Sequence, residues 1–157
     1  MSRWITLGLG IGIGAVLTMT VAMQQAGGVT AETVIALTKA EWAATMQKNT
    51  AASLENVADD CTLWVPEFPN RINGKDQLYA VNEAQASGSG EWILAQMANE
   101  HVQVYDNVAV LSYNFFGAVR EKDGTLENIT AKSSRVYVKK NNEWWLVHAN
   151  FAPVITD

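Results

Sequence analysis

A chain of 157 residues of which 48% are hydrophobic is long enough for one packed domain and a short leader. Its formal charge is −5 and its longest basic cluster is Lys139-Lys140, which argues against nucleic acid as a partner. A single cysteine, Cys61, excludes an internal disulfide. With only two histidines in the chain a Cys/His zinc site lacks ligands, so we expect no metal and no cofactor.

Residues 1–29 are predicted to be a leader with a short tether. Residues 4–23 carry no charge and follow Arg3, a pattern typical of an export signal or of a membrane-inserted helix. The run suits either a cleaved signal peptide or a retained anchor, and both stay open. Because Arg3 favours a cytoplasmic N-terminus, we expect an exported domain, periplasmic or extracellular. Contact with the membrane is then made only through residues 4–23, if they are uncleaved.

Residues 30–157 are predicted to form one domain. Thr30 is a suitable N-cap for a first helix to about Lys48, on which Trp42 has the spacing of a core-facing residue. Two shorter helices are expected at about 50–57 and 76–86, with a brief strand at 61–65. Four long strand-like runs joined by tight turns then predict an antiparallel meander: 92–105, 108–119, 126–139 and 143–152. This order predicts an α+β domain with its helices gathered on one face of a curved sheet.

The register of the last hairpin decides which side chains share a face. Asn141-Asn142 suits a two-residue turn, because Asn tolerates the positive φ that such a turn requires. Strict alternation after the turn groups His148 with Leu146 and separates both from Phe151. Both faces are substantially apolar, so we expect one to be covered by the helices and the other by another subunit. The sequence leaves open which face is which.

Three local patterns, in this order along the chain, resemble the nuclear transport factor 2-like superfamily. Residues 56–66 (NVADDCTLWVP) are similar to its passage from the second helix to the first strand, and residues 72–76 (INGKD) to its entry into the third helix. The sequence RVY at 135–137, followed by EW at 143–144 and VH at 147–148, resembles the ending of the calcium/calmodulin-dependent kinase association domain. SnoaL-like polyketide cyclases and ketosteroid isomerases belong to the same superfamily.

The resemblance implies a cone-shaped fold, in which a curved antiparallel sheet and about three helices packed on one face enclose a conical cavity. It also implies a homodimer formed through the sheet. Arg135 falls where the association domains have a pocket arginine. Phe115 and Phe151 replace residues that are basic there, and Asn150 replaces the second histidine of that ending. The implied cavity is therefore more apolar in this chain.

Arg135 and His148 are the candidate catalytic residues. A guanidinium among apolar neighbours needs an anion or several acceptors, and a histidine can exchange a proton near neutral pH. The alternatives are a structural ion pair of Arg135 with a carboxylate such as Glu83 or Glu100, and a hydrogen-bonded core or interface role for His148. Each candidate ligand-binding aromatic is, taken alone, more often a packing residue. The candidate ligand-binding residues are Trp64, Phe68, Trp92, Tyr113, Phe115, Arg135, Tyr137 and Phe151.

We therefore predict an exported SnoaL-like domain that binds a small, largely apolar molecule by a polar or anionic end at Arg135. One alternative is a cofactor-independent isomerase, dehydratase or hydrolase that uses His148 with Arg135. It is weakened because the four long strands have no mid-strand carboxylate to act as a base, although Glu67 in the loop or His148 could still serve. Another alternative is an oligomeric assembly module without a ligand.

Overall fold

A computed structural model describes residues 13–88 and 90–154, with side chains from Gly28 onward. The described residues form three helices and six strands. In chain order these are α1 Ile13–Met46, α2 Thr50–Ser53, β1 Val57–Trp64, β2 Ile72–Asn73, α3 Lys75–Gly88, β3 Glu91–Tyr105, β4 Val108–Arg120, β5 Leu126–Lys140 and β6 Glu143–Pro153.

The strands form one six-stranded sheet in the order β2-β1-β6-β5-β4-β3. Strands β3 to β6 are the predicted antiparallel meander, since each pairs antiparallel with the next. Strand β1 pairs parallel with β6 and antiparallel with the short β2, so the sheet is mixed rather than wholly antiparallel. The predicted α+β class with three helices is confirmed.

The first helix is longer than predicted. It runs from Ile13 to Met46, so Thr30 lies in its interior instead of at its N-cap, and residues 24–29, the predicted tether, are helical. Proline is absent from this stretch, and a glycine costs an exposed helix only about 1 kcal/mol, so Gly27-Gly28 does not end it.

Residues 1–12 lie outside the described residues, and the cleaved signal and the retained anchor both stay predictions. Within the described part of the chain, no helix has the length and apolar character needed to cross a membrane.

The turns of the meander lie where the sequence predicts them. Asn141 and Asn142 have φ of 52° and 67°, as a two-residue hairpin turn requires. Asp106 and Gly124 also adopt positive φ, at 50° and 89°. These positions fix how β3 to β6 pair.

Strand β6 departs from strict alternation. Tyr137 pairs with Leu146 and Val136 with His148, which leaves Val147 as the extra residue of a β-bulge. As a result Leu146 and Ala149 are both buried on the face that packs against the helices, while His148 turns to the opposite face with Val136. The prediction that His148 shares a face with Leu146 was therefore wrong.

The core lies between α1 and the inner face of the sheet, the face that packs against the helices. On β4 every second residue from Ala109 to Phe115 is buried, because successive strand residues point to opposite faces. Phe115 stacks on Trp42 of α1, with ring centroids 4.2 Å apart. The Tyr137 hydroxyl lies 2.8 Å from the Thr38 hydroxyl of α1, so the helix is also tied to β5 by a buried hydrogen bond.

The outer face of the sheet carries two apolar patches separated by a polar band. The first patch contains Leu94 and Phe116, which are 42% and 41% exposed. The second patch lies at the other end of the strands and consists of half-buried residues, Val108, Val110, Val136, Val138 and Trp145. The polar band between them crosses four paired strands at His101, Ser112, Ser134 and Asn150.

Candidate functional site

Arg135 lies in the middle of β5 with its side chain almost fully buried on the inner face. Its Nη1 donates a hydrogen bond to the Glu41 carboxylate of α1, and its Nε donates to the Tyr113 hydroxyl at 3.1 Å. The carboxylate that pairs with Arg135 is thus Glu41, not Glu83 or Glu100, which were the predicted candidates. Glu100 instead forms an ion pair with Lys39 at 3.1 Å.

Aromatic side chains complete the surroundings of Arg135. Its guanidinium carbon lies 5.7 Å from the centroid of the Trp42 ring and 5.9 Å from that of Tyr113. Trp42 Nε1 also donates to the Tyr113 hydroxyl at 3.1 Å. Burial by itself lowers the pKa of Arg135, but the Glu41 carboxylate together with the Tyr113 and Tyr137 side chains outweighs burial and raises that pKa above its usual range. The neighbours of Arg135 therefore favour its charged form.

Tyr137, two residues along β5 from Arg135, has a structural environment. It is 1% exposed, and burial raises the pKa of its hydroxyl. That hydroxyl is bonded to Thr38, which itself donates to the backbone carbonyl of Val34. Among the described residues, no fully buried side-chain polar atom lacks a hydrogen-bond partner. The fully buried polar side-chain atoms of the described residues are therefore bonded within the chain.

A cavity of about 410 Å³ lies between the inner face of the sheet and the helices. This is within the range of small-molecule sites, roughly 300–1,000 Å³. Arg135 and Glu41 both line it, and exposed side chains such as Glu67 and Glu127 place its mouth at the protein surface. Much of the wall is aliphatic, formed among others by Leu54, Leu63, Val65, Leu78, Ile129 and Leu146.

Four aromatic rings form one side of this region. Trp42, Trp92 and Phe151 line the cavity, whereas Phe115 is fully buried behind them. The centroids of Trp92 and Phe151 lie 6.1 Å and 5.2 Å from that of Phe115, both in edge-to-face geometry. Gly117 makes room for this packing, because a Cβ atom there would lie 2.8 Å from both the Phe115 and Trp92 rings.

The predicted ligand-binding residues occupy three kinds of position. Arg135, Trp92 and Phe151 line the cavity. Tyr113, Phe115 and Tyr137 are buried on the same face but support the wall without lining it. The remaining two, Trp64 and Phe68, are 44% and 38% exposed and are not part of the cavity lining.

His148 is not brought together with Arg135. The bulge at Val147 turns it to the outer face, and its Nδ1 lies 2.7 Å from the Thr62 hydroxyl of β1, with which it forms a hydrogen bond. It is not among the residues that line the cavity. The two candidate catalytic residues therefore lie on opposite faces of the sheet.

Two residues of the site were missed as functional candidates from sequence. The first is Glu41. One face of α1 carries Thr38, Glu41, Trp42 and Thr45, and a carboxylate on the same face as Trp42 was the signal available in the sequence. Cys61 also lines the cavity, and burial, followed by the nearby Asp60, raises the pKa of its thiol to about 11. In the part of the chain that the structure describes, no three His, Cys, Asp or Glu side chains form a group that could hold a metal ion.

The fold is similar to several solved structures. A nuclear transport factor 2-like superfamily protein from Salmonella enterica subsp. enterica serovar Typhimurium str. LT2 matches with a TM-score of 0.73 and 15% identity, over 83% of this chain and 95% of that chain. A proposed dehydratase of the same family from Streptomyces avermitilis matches with a TM-score of 0.73 and 13% identity, over 83% and 99% of the two chains. The association domain of the C. elegans calcium/calmodulin-dependent kinase II matches with a TM-score of 0.68 and 18% identity, over 81% and 98%.

These likenesses confirm the predicted nuclear transport factor 2-like fold. No curated protein is similar enough in sequence to count as a relative. The sequence profile of one family, however, matches residues 30–153, which include all six strands, α2, α3 and the second half of α1. This chain belongs to the calcium/calmodulin dependent protein kinase II association domain family.

Proposed function

We propose that this chain is a homo-oligomeric assembly domain whose subunits pack through the outer face of the sheet. The observation that carries the proposal is the uncovered apolar surface there, since α1 and the cavity occupy only the inner face. Leu94 and Phe116 are each about two-fifths exposed in the monomer, 42% and 41%. Contiguous exposed apolar patches of this kind mark interaction sites in soluble proteins. Membership of an association-domain family supports the same conclusion.

Light scattering after size-exclusion chromatography of the full chain tests this proposal. A mild detergent keeps residues 4–23 from driving association by themselves. We expect a dimer or a larger closed assembly, and we expect Phe116→Lys to dissociate it by placing a charge in the interface. Tyr79→Lys is the matched control, because Tyr79 is a similarly exposed aromatic, at 44%, on α3. A monomeric parent chain, or equal loss of assembly in both variants, would overturn the proposal.

We also propose that each subunit binds a small molecule between the sheet and the helices. The supporting observation is the cavity of about 410 Å³, with Arg135 and Glu41 among its lining residues and an otherwise largely apolar wall. Binding sites for small molecules commonly combine such a wall with a few polar groups that orient the ligand. This proposal keeps the predicted apolar ligand with a polar end.

Binding can be measured with Nile red, a neutral apolar dye whose fluorescence rises in an apolar site. Ser133→Phe fills the cavity from β5, because Ser133 is buried and lines it. We expect this variant to lose dye affinity by roughly tenfold or more. Ala84→Phe on α3 adds the same side chain at an exposed position away from the cavity lining, and we expect no change. Unchanged affinity in Ser133→Phe would contradict binding in this cavity.

The enzymatic alternative gains no support from the predicted pair. A general base must reach the same reacting molecule as the group that orients it, whereas His148 and Arg135 lie on opposite faces of the sheet. The carboxylate that lines the cavity beside Arg135 is Glu41.

A further inference from the structure

We infer that the cavity takes a molecule with a cationic head group, such as a quaternary ammonium, on an apolar body. The inference rests on the small-molecule binding proposed above and names the chemical class of the ligand. It replaces the anionic end that the sequence predicted for Arg135. Three features of the cavity support it: the existing partner of Arg135, the balance of charges in the lining, and the aromatic rings left open.

Arg135 is already neutralised by a neighbour of its own chain. Its Nη1 is bonded to Glu41 and its Nε to the Tyr113 hydroxyl, and the side chain is only 6% exposed. An anionic ligand at Arg135 would either displace Glu41 or place a second negative charge beside it. Removing one partner from a buried ion pair leaves an uncompensated charge, which is strongly unfavourable. Arg135 therefore positions Glu41 more readily than it binds an anion.

The lining as a whole is acidic. Among the described residues that line the cavity there are four carboxylates and two cationic side chains, Lys48 and Arg135. The carboxylates are Glu41, Glu67, Glu121 and Glu127. With every one of these groups ionised, the lining has a charge of −2. An excess of negative over positive groups in a cleft with apolar walls attracts a cation more than an anion.

Two aromatic rings are available to a cation. Trp42 is occupied, because one neighbour, Phe115, stacks on it and the Arg135 guanidinium already lies 5.7 Å from its centroid. Trp92 and Phe151 also line the cavity, with ring centroids 6.1 Å and 5.9 Å from that of Trp42. Neither has a cation over its ring among the described contacts. Cations bind favourably within about 6 Å of such ring centroids, and the attraction grows when water is excluded. The rings and the acidic lining thus favour the same head group.

The test uses isothermal titration calorimetry on the full chain with three probes that share a benzyl group. Benzyltrimethylammonium carries the cation, neopentylbenzene is its uncharged carbon isostere, and phenylacetate carries an anion. We expect the ammonium to bind roughly tenfold tighter than the isostere, and phenylacetate to bind more weakly than the isostere. If the isostere binds as tightly as the ammonium, the head-group inference is wrong while small-molecule binding stands. If none of the three binds, both are wrong.

Charge variants identify where the cation is recognised. In the cavity variant, glutamine replaces the three carboxylates that are not paired with Arg135, as Glu67→Gln, Glu121→Gln and Glu127→Gln. In the control variant, Glu32→Gln, Glu83→Gln and Glu143→Gln change the net charge equally at exposed positions away from the lining. We expect the cavity variant to lose most of the preference for ammonium over the isostere and the control to keep it. If both variants lost this preference equally, the net charge of the protein would account for it and not the carboxylates of the cavity. That result would overturn the inference.

Discussion

At the scale of single residues, the Glu41–Arg135 pair is the most consequential contact of the cavity. It joins α1 to β5, and both side chains are largely shielded from solvent, with 23% of Glu41 and 6% of Arg135 exposed. A buried pair adds little net stability over apolar residues, yet loss of one member is costly because the other charge stays behind. The two partners should therefore show strong non-additivity.

We expect Glu41→Gln to destabilise the protein by about 3 kcal/mol, since it leaves the Arg135 guanidinium buried without a counter-charge. Arg135→Met should cost less, because Glu41 retains some contact with solvent in the cavity. The double variant should be less destabilised than the sum of the two single variants. Urea unfolding of all four proteins measures this cycle. Additive effects would mean that the pair is not coupled.

The thiol of Cys61 should be unreactive in the folded protein. Burial raises its pKa from 9.0 to about 11, so at pH 8 the thiolate fraction falls by about 100-fold. We expect iodoacetamide to alkylate the native chain at least that much more slowly than the chain in concentrated urea, as followed by mass spectrometry. Since Cys61 is the only cysteine of the chain, every adduct reports on this site. Rapid labelling of the native protein would contradict the burial of the thiol.

The same pKa shift has a consequence for stability. The unfolded thiol ionises above pH 9 whereas the folded thiol stays protonated until about pH 11. The contribution of Cys61 to stability is therefore complete below pH 9 and is lost as the pH rises between these values. Cys61→Ala should reduce the pH dependence of the unfolding free energy between pH 9 and 11, which urea titrations at a series of pH values would detect. An unchanged slope in that range would argue against the shift.

Residue-level prediction from sequence was only partly successful. Arg135 was recognisable, because a charged residue in mid-strand needs a partner in a buried setting. Its actual partner was not, since the approach of α1 to β5 brings Glu41 within reach although 94 positions separate it from Arg135. Sequence separation carries no information about such a contact. The aromatic residues selected on β4 and β5 lie on the inner face but do not line the cavity, and the alternation of a strand does not predict how far each ring reaches.

At the scale of elements, β6 shows where alternation fails. The bulge at Val147 coincides with irregular pairing on both sides, because β6 pairs with β5 on one side and with β1 on the other, and each pairing has a register shift there. Locally the sequence WLVHAN contains no glycine or proline that would signal an extra residue. One unmarked residue was enough to move His148 to the other face. The pairing register of a strand that lies between two partner strands cannot be predicted from its own sequence alone.

The length of α1 makes a testable prediction at Gly28. If the helix is continuous from Ile13 to Met46, Gly28 is an interior helical residue with open space around its Cα. Gly28→Ala should then stabilise the protein by about 0.5–1 kcal/mol, because alanine loses less backbone entropy in a helix. Thermal unfolding followed by circular dichroism measures the change. No gain would favour the predicted helix start at Thr30.

Gly124 provides the control for this substitution. It also has open space around its Cα, but its φ of 89° is one that side chains rarely adopt. Gly124→Ala should therefore destabilise the turn between β4 and β5, by about 1 kcal/mol. Opposite signs for the same chemical change would separate helix propensity from any general effect of an added methyl group. Equal effects at both sites would contradict the described backbone.

At the scale of the whole molecule, the order of the main elements was predictable from sequence. The pairing of β1 with β6, which joins β1 to the meander, was not. Three helices, a brief strand and four long strands follow from periodicity and turn residues, whereas the short β2 was not predicted. The parallel pairing of β1 with β6 joins the first and last strands of the sequence, so no local turn signals it. That pairing brings Cys61 and Leu63 of β1 to the same cavity as Ala149 and Phe151 of β6. The cavity therefore depends on the least predictable contact of the fold.

Assembly through the outer face should make stability depend on protein concentration. Association stabilises the folded state by mass action, and for a dimer each tenfold rise in concentration contributes about 1.4 kcal/mol. We therefore expect the midpoint of thermal unfolding of the full chain to rise steadily with concentration over two decades. Scanning fluorimetry at several concentrations in the same detergent measures this.

The variants decide whether the dependence arises from the sheet face. Phe116→Lys should abolish the dependence on concentration, because the lysine charge would be buried without a partner between two apolar surfaces. Tyr79→Lys on α3 should keep the slope of the parent chain, since it removes a similarly exposed aromatic from a different surface. A parent chain whose midpoint is independent of concentration would argue against any assembly in this range. A slope that survives Phe116→Lys would instead locate the contact between subunits away from this patch, and the outer face would lose its proposed role.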